Sequence, residues 1–269
     1  MRQPQPNRPR LRKREILFAV AAGVVAAGGA ALILDSDDGE GFTGPPAAVV
    51  AGPDRTSYQL AGFSEISTVG PQDVVVTLGD SFSVRAEGSP AALAQFEPVV
   101  EGDTLVIRPR DGFNWGGWRR LNGATFHVTL PRLEGVSVAG SGDVRVDRIE
   151  GESFEGTIAG SGELLIAAMT VDEADFNIAG GGNVAASGTA RETRVAIGGS
   201  GDIEATGLRS ETASVSIGGS GSVELAVANE AKVSIMGSGD VDIAGTGRCS
   251  VTRFGSGSVR CAGGGGTDD

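Results

Sequence analysis

The sequence predicts an all-β fold, a parallel β-helix (solenoid) of 18–20-residue coils, and three observations carry that prediction. The first is a phrase repeated seven times after Glu134. It reads Gly140-Ser141-Gly142, Gly160-Ser161-Gly162, Gly180-Gly181-Gly182, Gly199-Ser200-Gly201, Gly219-Ser220-Gly221, Gly237-Ser238-Gly239 and Gly255-Ser256-Gly257, with first glycines spaced 20, 20, 19, 20, 18 and 18 residues apart. A short unit at a nearly fixed period means stacked, quasi-one-dimensional architecture. The second is alternation: on both sides of each corner every second residue is apolar, the mark of strands with one buried face. The third is that like stands with like. Two residues before the first glycine come Val138, Ile158, Ile178, Ile197, Ile217 and Ile235, until Arg253 breaks the column. Four after it come Val144, Leu164, Val184, Ile203, Val223, Val241 and Val259.

Each repeat is therefore two short strands meeting at a glycine corner, with a more variable third side. Glycine suits such a corner because positive φ costs it no Cβ clash. An antiparallel meander with each phrase at a hairpin tip is the rival, and its turn chemistry would be acceptable. The strict column order favours the coil.

Forty-four glycines with 5% aromatics resemble low complexity in bulk, but the alternating β-branched residues point to a repetitive fold. Residues 1–14 carry six basic side chains and no acid, a cytoplasmic segment. Residues 15–34 are expected to form a transmembrane signal-anchor helix, since 16–34 hold no charge and are long enough to span a bilayer. Basic residues before it and Asp35, Asp37, Asp38 and Glu40 after it put the repeats on the far side of the inner membrane, in the periplasm. Cleavage of the same segment as a secretory signal is the alternative, and either way the repeats are exported. Residues 35–57 read as a Gly/Pro-rich linker, 58–133 as an N-terminal β region and cap, 134–262 as the GSG-repeat β-helix, and 263–269 as a flexible tail. The chain is net −12, and the six basic residues of 1–14 leave −18 on the rest. Such a surface avoids nucleic acid and anionic headgroups.

Strands are expected at 63–69, 73–78, 82–86, 104–108 and 125–130, with a helical turn or two within 90–96. Several phrases here stand together: Phe63-Ser64-Glu65-Ile66, Gly70-Pro71-Gln72-Asp73-Val74, Glu101-Gly102-Asp103-Thr104-Leu105-Val106-Ile107 and Val128-Thr129-Leu130-Pro131. With the GSGDV repeats they resemble the bacterial GIN-domain family, described as autotransporter adhesin head domains, over roughly residues 60–262. The resemblance implies a right-handed β-solenoid of the cell envelope. It brings no catalytic residues with it.

Few residues of the repeats carry chemistry. The residue after each corner is Asp143, Glu163, Asn183, Asp202, Ser222, Asp240 or Ser258. A ladder of oxygens invites comparison with calcium-binding β-rolls, yet those use a nine-residue repeat and a different phrase. Asp, Asn and Ser are also ordinary turn residues, so no metal or cofactor is assigned. The lone His127 lies in a strand-like stretch with no evident partner, and no acid–base pair stands out, which argues against an enzyme. The segment Asp111–Arg120 holds both tryptophans, and Phe113, Trp115, Trp118, Arg119 and Arg120 form a candidate interaction loop. Its alternative role is to cover the open end of the solenoid. Cys249 and Cys261 lie in phase with the inward columns, and export favours a disulfide between them over two buried thiols. The expected function is a structural or adhesive envelope module with a protein or glycan partner. A ligand-binding or stress-sensing domain signalling through a partner is the alternative.

Overall fold

The computed structural model describes residues 49–51, 55–110, 123–245, 248–262 and 267–268. Alternating Val and Ile leave water by lining one face of a strand, and the repeats do so by lying on one another. The strands Ser153–Gly160, Glu163–Gly180, Asn183–Gly199, Asp202–Gly219 and Ser222–Gly237 succeed one another up the stack. Each pairs with the next in parallel, so that Ile158, Ile178, Ile197, Ile217 and Ile235 form one column. The first glycines of the corners stack in the same way, Gly160 under Gly180 and so on to Gly255. Ile197 and Ile217 are buried inside, which excludes the hairpin meander.

Unequal coil lengths are absorbed on the third side. Register slips between Ile166 and Met169, between Ala185 and Ser187, and twice between Ala205 and Thr212. The corner and its two flanking strands keep their pairing throughout. A break in an inward column is also repaired locally. Gly156 stands where Val or Phe is found in other coils, and the rings of Phe154 and Phe176 fill the space its side chain leaves.

The lower end departs from chain order. Glu65–Gly70 pairs in parallel with Gly135–Gly140, and Val74–Val76 with Val144–Val146, so the first coil meets the second across a jump of 70 residues. The residues between them build the floor. Thr104–Pro109 lies in parallel beneath Glu65–Gly70, and Thr125–Leu130 beneath Asp73–Leu78. The floor ends in strands of opposite sense: Phe96–Glu101 against Thr104–Pro109, and Ser83–Glu87 against Thr125–Leu130. Phe96 and Phe126, edge to face at 5.8 Å, fill the space above this floor and are fully buried.

Some sequence expectations change here. The helical turn is confined to Pro90–Leu93, with Ser89 as its cap. Phe96–Glu101 is a strand that the sequence reading missed, because Pro98 argues against one. Arg55–Tyr58, which straddles the expected end of the linker at 57, and Val49–Ala51 extend the sheet in antiparallel fashion from Ser83–Glu87. Thr267–Asp268, read as flexible tail, pairs in parallel with Ser250–Val251. Among the described residues no helix is long and apolar enough to cross a membrane, and the expected anchor at 16–34 lies outside the described residues.

Candidate interaction site

The corner is where sequence, stacking and surface meet. A Cβ added at Gly219, where φ is +144°, would lie 2.0 Å from the carbonyl oxygen of Gly199 below. One added at Gly221 would lie 2.1 Å from the carbonyl oxygen of Gly201. Both outer residues of the phrase must therefore be glycine wherever another coil lies beneath. The middle residue faces water, which is why serine is admitted there.

The oxygen ladder beside the corner has a structural role. Asp73 Oδ1 accepts the N–H of Asp143, and Asp143 Oδ1 that of Glu163. Asn183, Asp202 and Asp240 likewise accept the N–H of Asp202, Ser222 and Ser258. Where the rung is Glu163 or Ser222, the next N–H turns instead to the carbonyl of Gly162 or Gly221. A short carboxylate or amide reaches one coil up; Glu is too long and Ser too short. The Ser258 hydroxyl also donates to Asp240, and these bonds hold the Asp240 carboxyl below the usual range. Among the described residues no cluster of three potential metal ligands occurs.

At the lower end the ladder of glycines stops at Gln72, which takes the place of a third-position glycine. No coil corner lies beneath it, so a side chain fits, and it is fully buried. Its Nε2 donates to Thr68 Oγ1 at 2.6 Å and to the carbonyls of Val69 and Ile107, both at 3.1 Å. Its Oε1 is buried without a hydrogen-bond partner. The described residues that flank the floor strands are tied down by backbone bonds. Arg110 donates its N–H to the Gln95 carbonyl, and Asp73 N–H reaches Ala124 O on the far side. Nearby, burial pushes the Tyr58 phenol up, with the charge of Arg110 pulling it partly back. Phe113, Trp115, Trp118, Arg119 and Arg120 lie outside the described residues.

The upper end is built differently. Cys249 and Cys261 are joined by a disulfide with Cα atoms 6.5 Å apart, tying the two strands of the last coil. Arg253 stands in the column of isoleucines but is exposed, and its Nη1 donates to the Gly257 carbonyl at 2.9 Å. Next to it Phe254 lies in register with Met236 below, and their exposures are 67% and 69%. In that outward column the other coils carry Val69, Ala139, Ala159, Ala179, Gly198 and Gly218. The signal was therefore present in the sequence: the two largest apolar residues of the column stand together at its upper end.

Several titratable groups of the flanks are tied in surface pairs. Arg194 bridges Glu173, Asp175 and Glu192. His127 faces outward 3.8 Å from Glu87. Neither arrangement offers a nucleophile with an adjacent base.

The family model described as "Putative auto-transporter adhesin, head GIN domain" matches residues 62–247. A solved structure described as a "putative adhesin" from Bacteroides fragilis NCTC 9343 is similar, with a TM-score of 0.70 and 20% identity, over 80% of this chain and 97% of that one. A "Putative lipid binding protein" from Parabacteroides distasonis ATCC 8503 aligns with a TM-score of 0.61 and 20% identity, over 77% and 95% of the two chains. A "putative adhesin" from the same organism aligns with a TM-score of 0.60 and 19% identity, over 79% and 96%. At these identities the likeness is one of fold. No curated protein matches the chain.

Proposed function

The chain belongs to the head GIN-domain family, and from that premise we propose that it is a non-enzymatic interaction module of the cell envelope. Residues 16–34 hold it at the inner membrane, and the solenoid presents its surface in the periplasm. The observation that carries this reading is the exposed pair Met236 and Phe254. They rise from a flank of short side chains, Ser216, Gly218, Ser234 and Thr252, fixed by continuous parallel pairing. Large apolar side chains held rigidly on a flat, otherwise small-residue surface are what a binding partner buries. The ordering entropy of such a surface is already lost on folding, so association costs less.

The test is site-specific photo-crosslinking in intact cells. A photoreactive residue at position 254 in the full-length chain is expected to give a discrete adduct. The same residue at Glu211, on the third side, is expected to give none. Equal labelling from both positions, or none from 254, would defeat the reading. Alkaline extraction of membranes tests the anchor separately, with the chain expected to remain in the pellet.

A further inference from the structure

The last coil differs in charge from those it stands on. Between Arg248 and Ala262 there are three arginines, Arg248, Arg253 and Arg260, and no acid, in a chain of net charge −12. All three are exposed. Arg248 stands in register over Glu230, and Arg260 over Asp242. The stack thus sets base over acid in neighbouring coils, as it does with Arg194 over Asp175. Cross-strand pairs of opposite charge stabilise adjoining strands, and like charges do the reverse. A further strand laid on this rim would match it best if acidic.

The rim has room for that strand. Among the described residues Thr267–Asp268 occupies it above Ser250 and Val251. Among the described residues no strand lies above Thr252–Gly255 or Ser258–Cys261. The lower end shows the contrast: its outer strand Phe96–Glu101 carries Pro98 and is closed by antiparallel pairing.

We propose that the open rim of the last coil, Thr252–Gly255 with Ser258–Cys261, takes up an extended acidic segment of a partner protein as an added strand. Backbone pairing supplies the affinity, Arg253 and Arg260 select for acid, and Phe254 with Met236 receives an apolar side chain beside the corner. This rests on the reading of the solenoid as an interaction module and names the chemistry of its partner. Two copies meeting rim to rim would set arginine against arginine.

The probe is a fluorescein-labelled peptide of about ten residues, Thr-Asp-Val-Gly-Ser-Gly-Asp-Val-Asp-Val, short strands on either side of glycines that can lie over Gly255 and Gly257. It is titrated with the full chain in mild detergent, and anisotropy is read. Saturable binding is expected. Arg253→Glu with Arg260→Glu is expected to weaken it at least tenfold, while Arg209→Glu, exposed in mid-stack, leaves it unchanged. The same peptide N-methylated at alternate amides is expected to lose binding, and that arm needs no variant to fold. No saturation up to about 1 mM, equal binding of that peptide with lysine in place of aspartate, or indifference to N-methylation would overturn the proposal. So would a concentration-dependent dimer in light scattering that Arg253→Glu abolishes, since the rim would then serve a second copy. Failure here with a discrete crosslink at 254 removes only the strand; absence of that crosslink removes the interaction module itself.

Discussion

The two ends of the stack solve one problem in opposite ways. A solenoid of parallel coils ends in unpaired backbone and an uncovered core, and both ends must deal with that. Below, the chain inserts strands of reversed sense and packs Phe96 and Phe126 over them, so the end is closed by apolar mass. Above, a disulfide ties the last coil and one arginine bonds its corner, and among the described residues only Thr267–Asp268 pairs above it. Even the polar residue that substitutes into each end's column follows suit. Gln72 is fully buried and bonds three acceptors, whereas Arg253 is exposed and bonds one. The lesson is that one end is built for stability and the other is left accessible.

Substitutions can break this comparison, and the corner should give the largest effect. Gly221→Val places a Cβ 2.1 Å from the Gly201 carbonyl oxygen. The expected loss is roughly 4 kcal/mol or more by chemical denaturation, while Ser220→Val stays within about 0.5 kcal/mol. A comparable loss at both positions would show that the glycines serve the turn rather than the stack. Next comes the staple. Cys249→Ser with Cys261→Ser removes a bond closing a short loop and should cost the last coil about 3 kcal/mol. Hydrogen exchange should quicken over 248–261 and leave the floor strands unchanged.

A smaller effect is expected below. Gln72→Leu leaves the carbonyls of Val69 and Ile107 without their side-chain donor, at a cost of about 2 kcal/mol. No change in stability would mean that this buried amide closes nothing. The smallest effect is in pH. Asp240 has its carboxyl lowered by Ser258 in the folded state, so the stability it contributes is present above the unfolded value and lost as pH falls through the folded one. Below about pH 3.9, the ordinary Asp value, exchange at the Ser258 amide should quicken. Asp240→Asn keeps an acceptor there and should flatten that dependence.

How much of this was written in the sequence follows from which interactions are local. The inward columns, the coil period and the corner phrase could be read directly, because each copy repeats its neighbour's pattern at 18–20 residues. The pairing of Glu65–Gly70 with Gly135–Gly140 could not, since no local period spans 70 residues. Yet Gly70-Pro71-Gln72-Asp73 is a corner phrase with Gln72 in the last glycine's place, and its capping Asp73 marks it as one. The strand at Phe96–Glu101 was hidden by Pro98, acceptable there only because that strand lies at the edge of the sheet. The oxygen ladder was visible, but its role was not: whether an Asp faces a cation or the next coil's N–H depends on stacking height. Met236 and Phe254 stood in plain view as the two largest apolar members of their outward column.

Residue-resolved hydrogen exchange of the full chain measures the difference between the two ends most directly. Amides of Ser67–Thr68 in the first coil and Leu105–Ile107 in the floor beneath it are expected to be protected as strongly as those of Ile197 and Ile217 in mid-stack. Those of Thr252–Gly255 and Val259–Cys261 are expected to exchange well ahead of both. Faster exchange in the floor than at the rim, or equal fraying from the two ends, would contradict that difference.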